Sequence, residues 1–275
     1  MGTTVGVVGA GNMGSALVRG WLRSPDPDLS ILVYDVAEDR ARDLACVECV
    51  SVASSLEDLA RRSQFVVVVV KPKDVAAVLN TLSPFLDEGK IVISSAAGIT
   101  LEQVRAAAGP EPFVFRLMPN LGVELGEGVL AFSTERGTPD EVIDAVQVLF
   151  ESLGVVEVLS EEMFDAVTAV SGSSIAFLAL ALEGMEDGAV RVGMPRGTAR
   201  TFVRQTALAT ALLLQRYPGS AADIKDQVSS PGGTTIAGLA VLEDRGVRGA
   251  FLRAIEEATE KGRSLRDTAP RRVVE

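Results

Sequence analysis

Short apolar runs separated by stretches of helical period fill the first half of the chain. Runs at 5–8, 31–34, 47–50, 65–70, 91–94 and 113–117 read as strands. The run 65–70 is apolar at every position, as a central parallel strand buried on both faces should be. Helical patterns lie between the runs at 15–23, 38–45, 55–60 and 73–82. Strands alternating with helices predict an α/β fold with a doubly wound parallel sheet. Two more runs, 129–132 and 155–159, flank a helical pattern at 140–153 and extend the sheet. Near Ser160 the pattern changes. Helical stretches at 161–192, 196–215, 221–227, 234–243 and 248–264 follow, with Pro195, Pro218 and Pro231 at or beside the breaks. The boundary therefore falls at Leu159, with a sheet domain over 1–159 and an all-helical domain over 160–275. Much of 175–182 and 207–214 is apolar around most of the helix circumference. Such helices bury themselves against a second copy of the chain or inside a thick core of their own.

Composition narrows the chemistry. The formal net charge of -11 repels nucleic acid and anionic lipid, so neither is an expected partner. There is no histidine, which removes the commonest general acid–base and the commonest metal ligand together. No metal site is expected, and a mechanism built on a His–carboxylate pair is excluded. Cys46 and Cys49 give too few ligands for zinc and lie late in a βαβ unit, so they read as small apolar residues near a strand. No apolar run approaches the ~20 residues of a membrane span. The first residues lack the basic and apolar parts of a secretory leader. The chain reads as cytoplasmic, with only 270–275 disordered in character.

Gly9-Ala10-Gly11-Asn12-Met13-Gly14 follows the first run and opens a helical pattern. In this spacing Gly9 allows a tight turn, Gly11 lets the backbone approach a diphosphate, and Gly14 lets the helix pack close to the strand. Unpaired N–H groups at the helix start then hold the diphosphate without a lysine. This is a Rossmann-like dinucleotide site. Asp35 ends the second run ~20 residues later, where a carboxylate accepts the adenosine ribose hydroxyls and repels a 2′-phosphate. NADH is favoured on that ground, while Arg40 and Arg42 keep NADPH open. Asp35 and Glu38 also suit a capping box. Val70-Lys71-Pro72 ends the central run at the carboxyl edge, where such sheets bind ligands. Lys71 either reaches the ribose or nicotinamide or is a plain surface lysine. Ser95-Ala96-Ala97-Gly98 ends the next run, and its small residues leave room for a flat ring or simply form a tight turn.

The helical half carries one further cluster, Ser229-Ser230-Pro231-Gly232-Gly233-Thr234-Thr235. Pro231, Gly232 and Gly233 break one helix and Thr234 opens the next. Amides at Gly232 and Gly233, the new helix start, and the hydroxyls of Ser230, Thr234 and Thr235 form an anion nest suited to a carboxylate. A plain capped turn fits the same spacing.

Together these segments resemble the pyrroline-5-carboxylate reductase family. The residues that carry the likeness are Gly9–Gly14, Val70-Lys71-Pro72, Ser95-Ala96-Ala97-Gly98-Ile99, Arg116-Leu117-Met118-Pro119-Asn120 and Asp165-Ala166-Val167-Thr168-Ala169-Val170-Ser171-Gly172-Ser173. Gly193-Met194-Pro195 and Asp226-Gln227-Val228-Ser229-Ser230-Pro231-Gly232-Gly233-Thr234-Thr235 continue it, so nearly the whole chain is covered. The resemblance implies a Rossmann-like domain and an all-helical domain that interlocks into a homodimer, with rings of dimers in some members. It implies hydride transfer from NADH or NADPH to the C=N bond of 1-pyrroline-5-carboxylate, a small imino acid, giving L-proline. The substrate carboxylate would bind Ser230 and the backbone of Thr234 and Thr235, with Thr235 hydrogen-bonded to the ring nitrogen. The nicotinamide end would lie against Met13, Lys71 and Ala96 to Gly98. The family usually reads Ser-Gly-Ser-Gly-Pro-Ala-Tyr where this chain has Ser171-Gly172-Ser173-Ser174-Ile175-Ala176-Phe177. That departure bears on substrate size and removes a tyrosine hydroxyl. Asp35 also replaces the small polar residue common in NADPH-preferring members.

A protonated cyclic imine is already a strong electrophile, so catalysis is mostly positioning. Thr235 is too weak an acid for conventional acid catalysis, and it orients the nitrogen and relays a proton from water. Three rivals remain: a β-hydroxyacid dehydrogenase, a reductase of related cyclic imines, and a nucleotide-sensing regulator without turnover. The first relies on a lysine in the long first helix of its second domain, and 161–192 contains none.

Overall fold

The computed structural model describes residues 2–23, 26–45 and 49–268. Cys46, the first half of the 47–50 run and the 270–275 tail lie outside the described residues.

Eight strands form one sheet: β1 (Thr3–Val8), β2 (Leu29–Tyr34), β3 (Val50–Val52), β4 (Phe65–Val68), β5 (Ile91–Ser94), β6 (Phe113–Pro119), β7 (Gly128–Thr134) and β8 (Gly154–Val158). Their order is β3-β2-β1-β4-β5-β6-β7-β8. The intervening helices are α1 (Asn12–Arg23), α2 (Glu38–Leu44), α3 (Leu56–Arg62), α4 (Pro72–Leu82), α5 (Leu101–Ala108) and α6 (Asp140–Glu151). Alternate residues of β1, β2, β4, β5 and β6 feed two cores. Val5, Val7, Ile31, Val33, Phe65, Val67, Ile91 and Ile93 pack under α1 and α6. Val8, Leu32, Val66, Val68 and Val92 pack under α3, α4 and α5. Both faces are covered, which is why the strands read as unbroken apolar runs. Trp21 fixes α1 to α6 through its indole N–H, 2.8 Å from the Leu149 carbonyl, and by a tilted ring contact with Phe150.

Two expectations change. The sheet is mostly, not wholly, parallel: β6 and β7 pair antiparallel, with Leu117 opposite Phe132. Their link holds only a single-turn 3-10 helix, Leu121–Leu125, too short for the crossover of about a dozen residues that a parallel return needs. Asn120 fixes this link by accepting from Gly122 N–H at 3.0 Å and Val129 N–H at 3.2 Å. The central strand ends at Val68 and not at residue 70, because Val69 and Val70 turn out of the sheet beside Gly9.

After β8 a 3-10 turn, Glu161–Met163, leads into α7 (Phe164–Val167), a π-helical turn Thr168–Ser173, and α8 (Ser174–Arg191). Then come α9 (Arg196–Arg216), α10 (Ala221–Gln227), α11 (Thr234–Asp244) and α12 (Val247–Thr268). The chain divides into two compact units, residues 1–172 with 258–275, and residues 173–257. The sheet unit thus takes in both ends of the helical segment, although the last strand ends at Val158.

In the helical unit α8 and α9 pack together, tied by Arg196 to Asp187 at 2.5 Å and Arg200 to Glu186 at 3.6 Å. A thick internal core is not what covers these helices. Among the hydrophobic residues of 173–257 only Ala199 and Val203 are buried. Leu178, Leu180, Phe202, Leu208 and Leu242 are each more than half exposed. Within Glu161–Arg191 a window of 18 residues has mean hydropathy 1.6, long and apolar enough by length and composition to cross a membrane. This corrects the expectation that no run reaches that length. Small residues, Ala, Ser and Gly, dilute the pattern to the eye without adding charge.

Candidate active site

The carboxyl ends of β1, β2, β4 and β5 bring the first group of expected site residues to one edge of the sheet. Strand order reverses direction between β1 and β4, and such switch points are where doubly wound sheets bind ligands. Gly9 leaves β1 with φ +106°, a conformation that L side chains avoid, and an added Cβ would lie 2.7 Å from the Val69 carbonyl oxygen. A Cβ on Gly14 would fall 1.9 Å from the Gly9 carbonyl oxygen. The start of α1 is therefore pressed onto the turn. A Cβ on Gly11 meets nothing within 4 Å. That position faces open space over the helix start, where Asn12 is exposed and Met13 is half-buried against the core.

Asp35 is tied into this turn. Its Oδ2 accepts from the Ala10 N–H at 2.6 Å and its Oδ1 from the Ala37 N–H at 2.8 Å. The capping box with Glu38 does not form: the N-cap of α2 is Ala37, without a side-chain cap. A cavity of about 250 Å³ opens beside Asp35, lined also by Tyr34, Glu38, Arg42, Ala53 and Ser54. Arg42 is paired with Glu38 and lies 3.5 Å from Asp39. The sequence reading missed the β3 side of this cavity because it placed β3 at 47–50. The alternation of Val50 and Val52 was the available signal, since the end of β3 lies next to the end of β2 in the sheet.

Lys71 is exposed at the N-cap of α4, with Val70 half-buried before it and Pro72 at the first helical position. Ala96 is buried, Ala97 exposed, and Gly98 turns with φ +77°. The turn ends at Thr100, which with Gln103 makes a capping box for α5.

The second group lies in the helical unit on one turn. Gly233 N–H donates to the Ser230 carbonyl at 3.0 Å, Pro231 follows Ser230, and Gly232 has φ +67°. These are the marks of a type II turn, whose third position needs glycine. α11 then starts at Thr234 with Gly233 as N-cap and no side-chain cap. The turn is capped by glycine backbone and not by a side chain. Its first-turn N–H groups stay free of internal side-chain partners, and an anion there meets the positive end of the helix. The Ser230 hydroxyl lies over that start, 2.3 Å from where a Gly233 Cβ would be, so a larger residue there would push the hydroxyl aside. Thr235 is half-buried, and Ser230 and Thr234 are exposed. Ser229 is engaged elsewhere, donating to the Lys225 carbonyl at 2.7 Å. Among the described residues no group of three potential metal ligands occurs.

Residues 161–265 match the family model for pyrroline-5-carboxylate reductase dimerisation, and residues 4–98 match the one for coenzyme F420-dependent NADP oxidoreductases. The chain is 37% identical to a pyrroline-5-carboxylate reductase of Pisum sativum, over 95% of this chain and 96% of that protein. It is similar to the crystal structure of Plasmodium falciparum pyrroline carboxylate reductase with NADP bound, at 27% identity and a TM-score of 0.85, covering 96% of this chain and 98% of that one. The reductase of Streptococcus pyogenes matches with a TM-score of 0.83 at 31% identity, over 96% and 99% of the two chains.

Proposed function

This chain belongs to the pyrroline-5-carboxylate reductase family, and from that premise we propose that it reduces the C=N bond of 1-pyrroline-5-carboxylate to give L-proline, the last step of proline biosynthesis. It is an NAD(P)H-dependent oxidoreductase acting on an imine. The residues fit the cofactor: an open Gly11, a tightly packed Gly14 and a carboxylate at the end of β2. NAD(P)H, when bound, supplies the hydride. Gly9 to Gly14 would hold the diphosphate, Asp35 the adenosine ribose, and Lys71 with Ala96 to Gly98 the nicotinamide end.

The observation that carries the substrate half is the uncapped start of α11 behind a glycine turn. Ser230, Gly233 and the backbone of Thr234 and Thr235 would grip the carboxylate there. Thr235 would hold the ring nitrogen and pass it a proton from water, while the imine carbon takes the hydride. No histidine is needed because a protonated imine needs orientation more than activation.

The helical segment is the homodimer surface, and its exposed leucines are what a second copy covers. The apolar run Glu161–Arg191 belongs to that surface. We read it as a protein-facing run and keep the cytoplasmic assignment. NADH is the preferred cofactor, because Asp35 and Glu38 line one cavity and the cation beside them, Arg42, is already paired.

The test is oxidation of NADH and NADPH with pyrroline-5-carboxylate and with its six-membered analogue. Faster turnover of the larger ring would reassign the substrate. Thr235→Ala should lower kcat/KM about a hundredfold, as loss of a positioned proton relay does, with NADH affinity unchanged. An unaltered kcat/KM rejects the role of Thr235.

A further inference from the structure

The loop assigned above to the nicotinamide is made of Ala96, Ala97 and Gly98, which have almost no side chain with which to hold themselves in place. The structure holds it from behind. Glu161 Oε1 lies 2.7 Å from Arg116 Nη1 and accepts the Leu101 N–H, also at 2.7 Å. Leu101 is the first residue of α5, three residues after Gly98. Arg116 is only 7% exposed, and its guanidinium stacks 4.7 Å from the centre of the Phe164 ring. A guanidinium so placed needs its carboxylate partner, which keeps Glu161 in position. The carboxylate also suits the positive end of α5.

One helical turn on, Asp165 pairs with Arg266 of α12 at 2.8 Å. The backbone of Leu265 and Arg266 lies 3.5 Å from where a Gly98 Cβ would stand. The loop is thus bounded by Glu161 on its far side and by the end of α12 over Gly98.

We propose that Glu161, fixed by Arg116, is a positioning residue for the nicotinamide end of the cofactor, and that the Asp165–Arg266 pair serves the same loop from the α12 side. This rests on the reading of Ala96 to Gly98 as the nicotinamide wall. The adenosine half, held at Gly11 and Asp35, is independent of both pairs. The signature is therefore selective. In the full-length dimer, Glu161→Gln weakens NADH binding about tenfold, the scale of one charge-assisted hydrogen bond. It leaves ADP-ribose, which lacks the nicotinamide, bound within about twofold of wild type, and it lowers kcat more than it changes the imine KM. A general loss of stability moves the melting temperature without separating the two ligands. Equal weakening of NADH and ADP-ribose, or of neither, overturns the proposal. Asp165→Asn is tested in parallel by the same ratio, so the test stands if Glu161→Gln does not fold. A wild-type protein that binds ADP-ribose as tightly as NADH would overturn it differently, by showing that the loop does not meet the nicotinamide. Binding without imine turnover would count against the substrate reading and leave Glu161 to be judged on the ligand ratio.

Discussion

Two alanine substitutions one helical turn apart should fail in opposite ways. On Gly14 the new methyl group would lie 1.9 Å from the Gly9 carbonyl oxygen, in a turn so close to the next strand's end that a Cβ on Gly9 would itself stand 2.7 Å from the Val69 oxygen. Relief needs a shift of about 1 Å in a turn that cannot yield, which costs about 3 kcal/mol on the scale of overpacked cores. In a sheet unit of this size that lowers the melting temperature by roughly 6–12 °C. Gly11→Ala meets nothing within 4 Å, and no positive φ is recorded there. Its melting temperature should stay within about 1 °C of wild type or rise slightly, because alanine restricts the unfolded chain. The methyl group would instead occupy the space assigned to the diphosphate and break one or two charge-assisted bonds, weakening NADH about ten- to a hundredfold. Thermal unfolding with and without NADH, together with a fluorescence titration, separates the two effects. If Gly11→Ala bound NADH like wild type, the diphosphate would not sit on this turn.

Asp35→Asn keeps an acceptor for the Ala10 N–H and removes the charge. At about 6 Å and an effective dielectric near 40, one carboxylate costs a phosphate about 1.4 kcal/mol. The NADPH to NADH ratio of kcat/KM should therefore rise about tenfold, and an unmoved ratio would remove Asp35 from cofactor choice. Leu208→Glu with Leu212→Glu puts two charges on an exposed apolar stretch of α9; light scattering should then report one chain in place of two, and an intact dimer would place the interface elsewhere. Asp223 accepts from the Ser220 N–H at 2.7 Å, which lowers its pKa below the ordinary 3.8. Its folded value lies under the unfolded one, so the cap is complete above pH 3.8 and is lost as pH falls through the lower, folded value. Carboxyl carbon shifts followed by NMR should give a midpoint below 3.8, and one at or above 3.8 would remove the cap.

The strands were legible because both sheet faces are buried, so β1, β2, β4 and β5 left apolar runs with nothing to confuse them. β3 was not, because only Val50 of its three residues is buried. The direction of β7 was hidden for another reason. A strand buried in antiparallel pairing reads like one in parallel pairing, and the short link 120–127 alone decides it. In the site, the glycine turn and the α11 start were legible because each is local and each uses glycine for a stated reason, close backbone approach at Gly14 and a positive φ at Gly9 and Gly232. Arg116 and Glu161 were not. They meet across 45 residues, and neither residue carries a local mark of its partner.

The charge of the chain gives these observations a common cause. A protein of net charge -11 that takes a dinucleotide and a carboxylate cannot rely on its long-range field, which repels both. It must hold anions with dipoles that carry no net charge and act only within the first turn of a helix. Both proposed grips are of that kind: α1 behind a glycine turn, and α11 behind another, without a side-chain cap on α11 to compete. Such grips are short-ranged and strict in geometry, so the backbone around them must be set to within fractions of an ångström. Glycines supply that where the chain must come close, and the Arg116–Glu161 pair, with the end of α12, supplies it where small residues leave a loop little of its own to fix it.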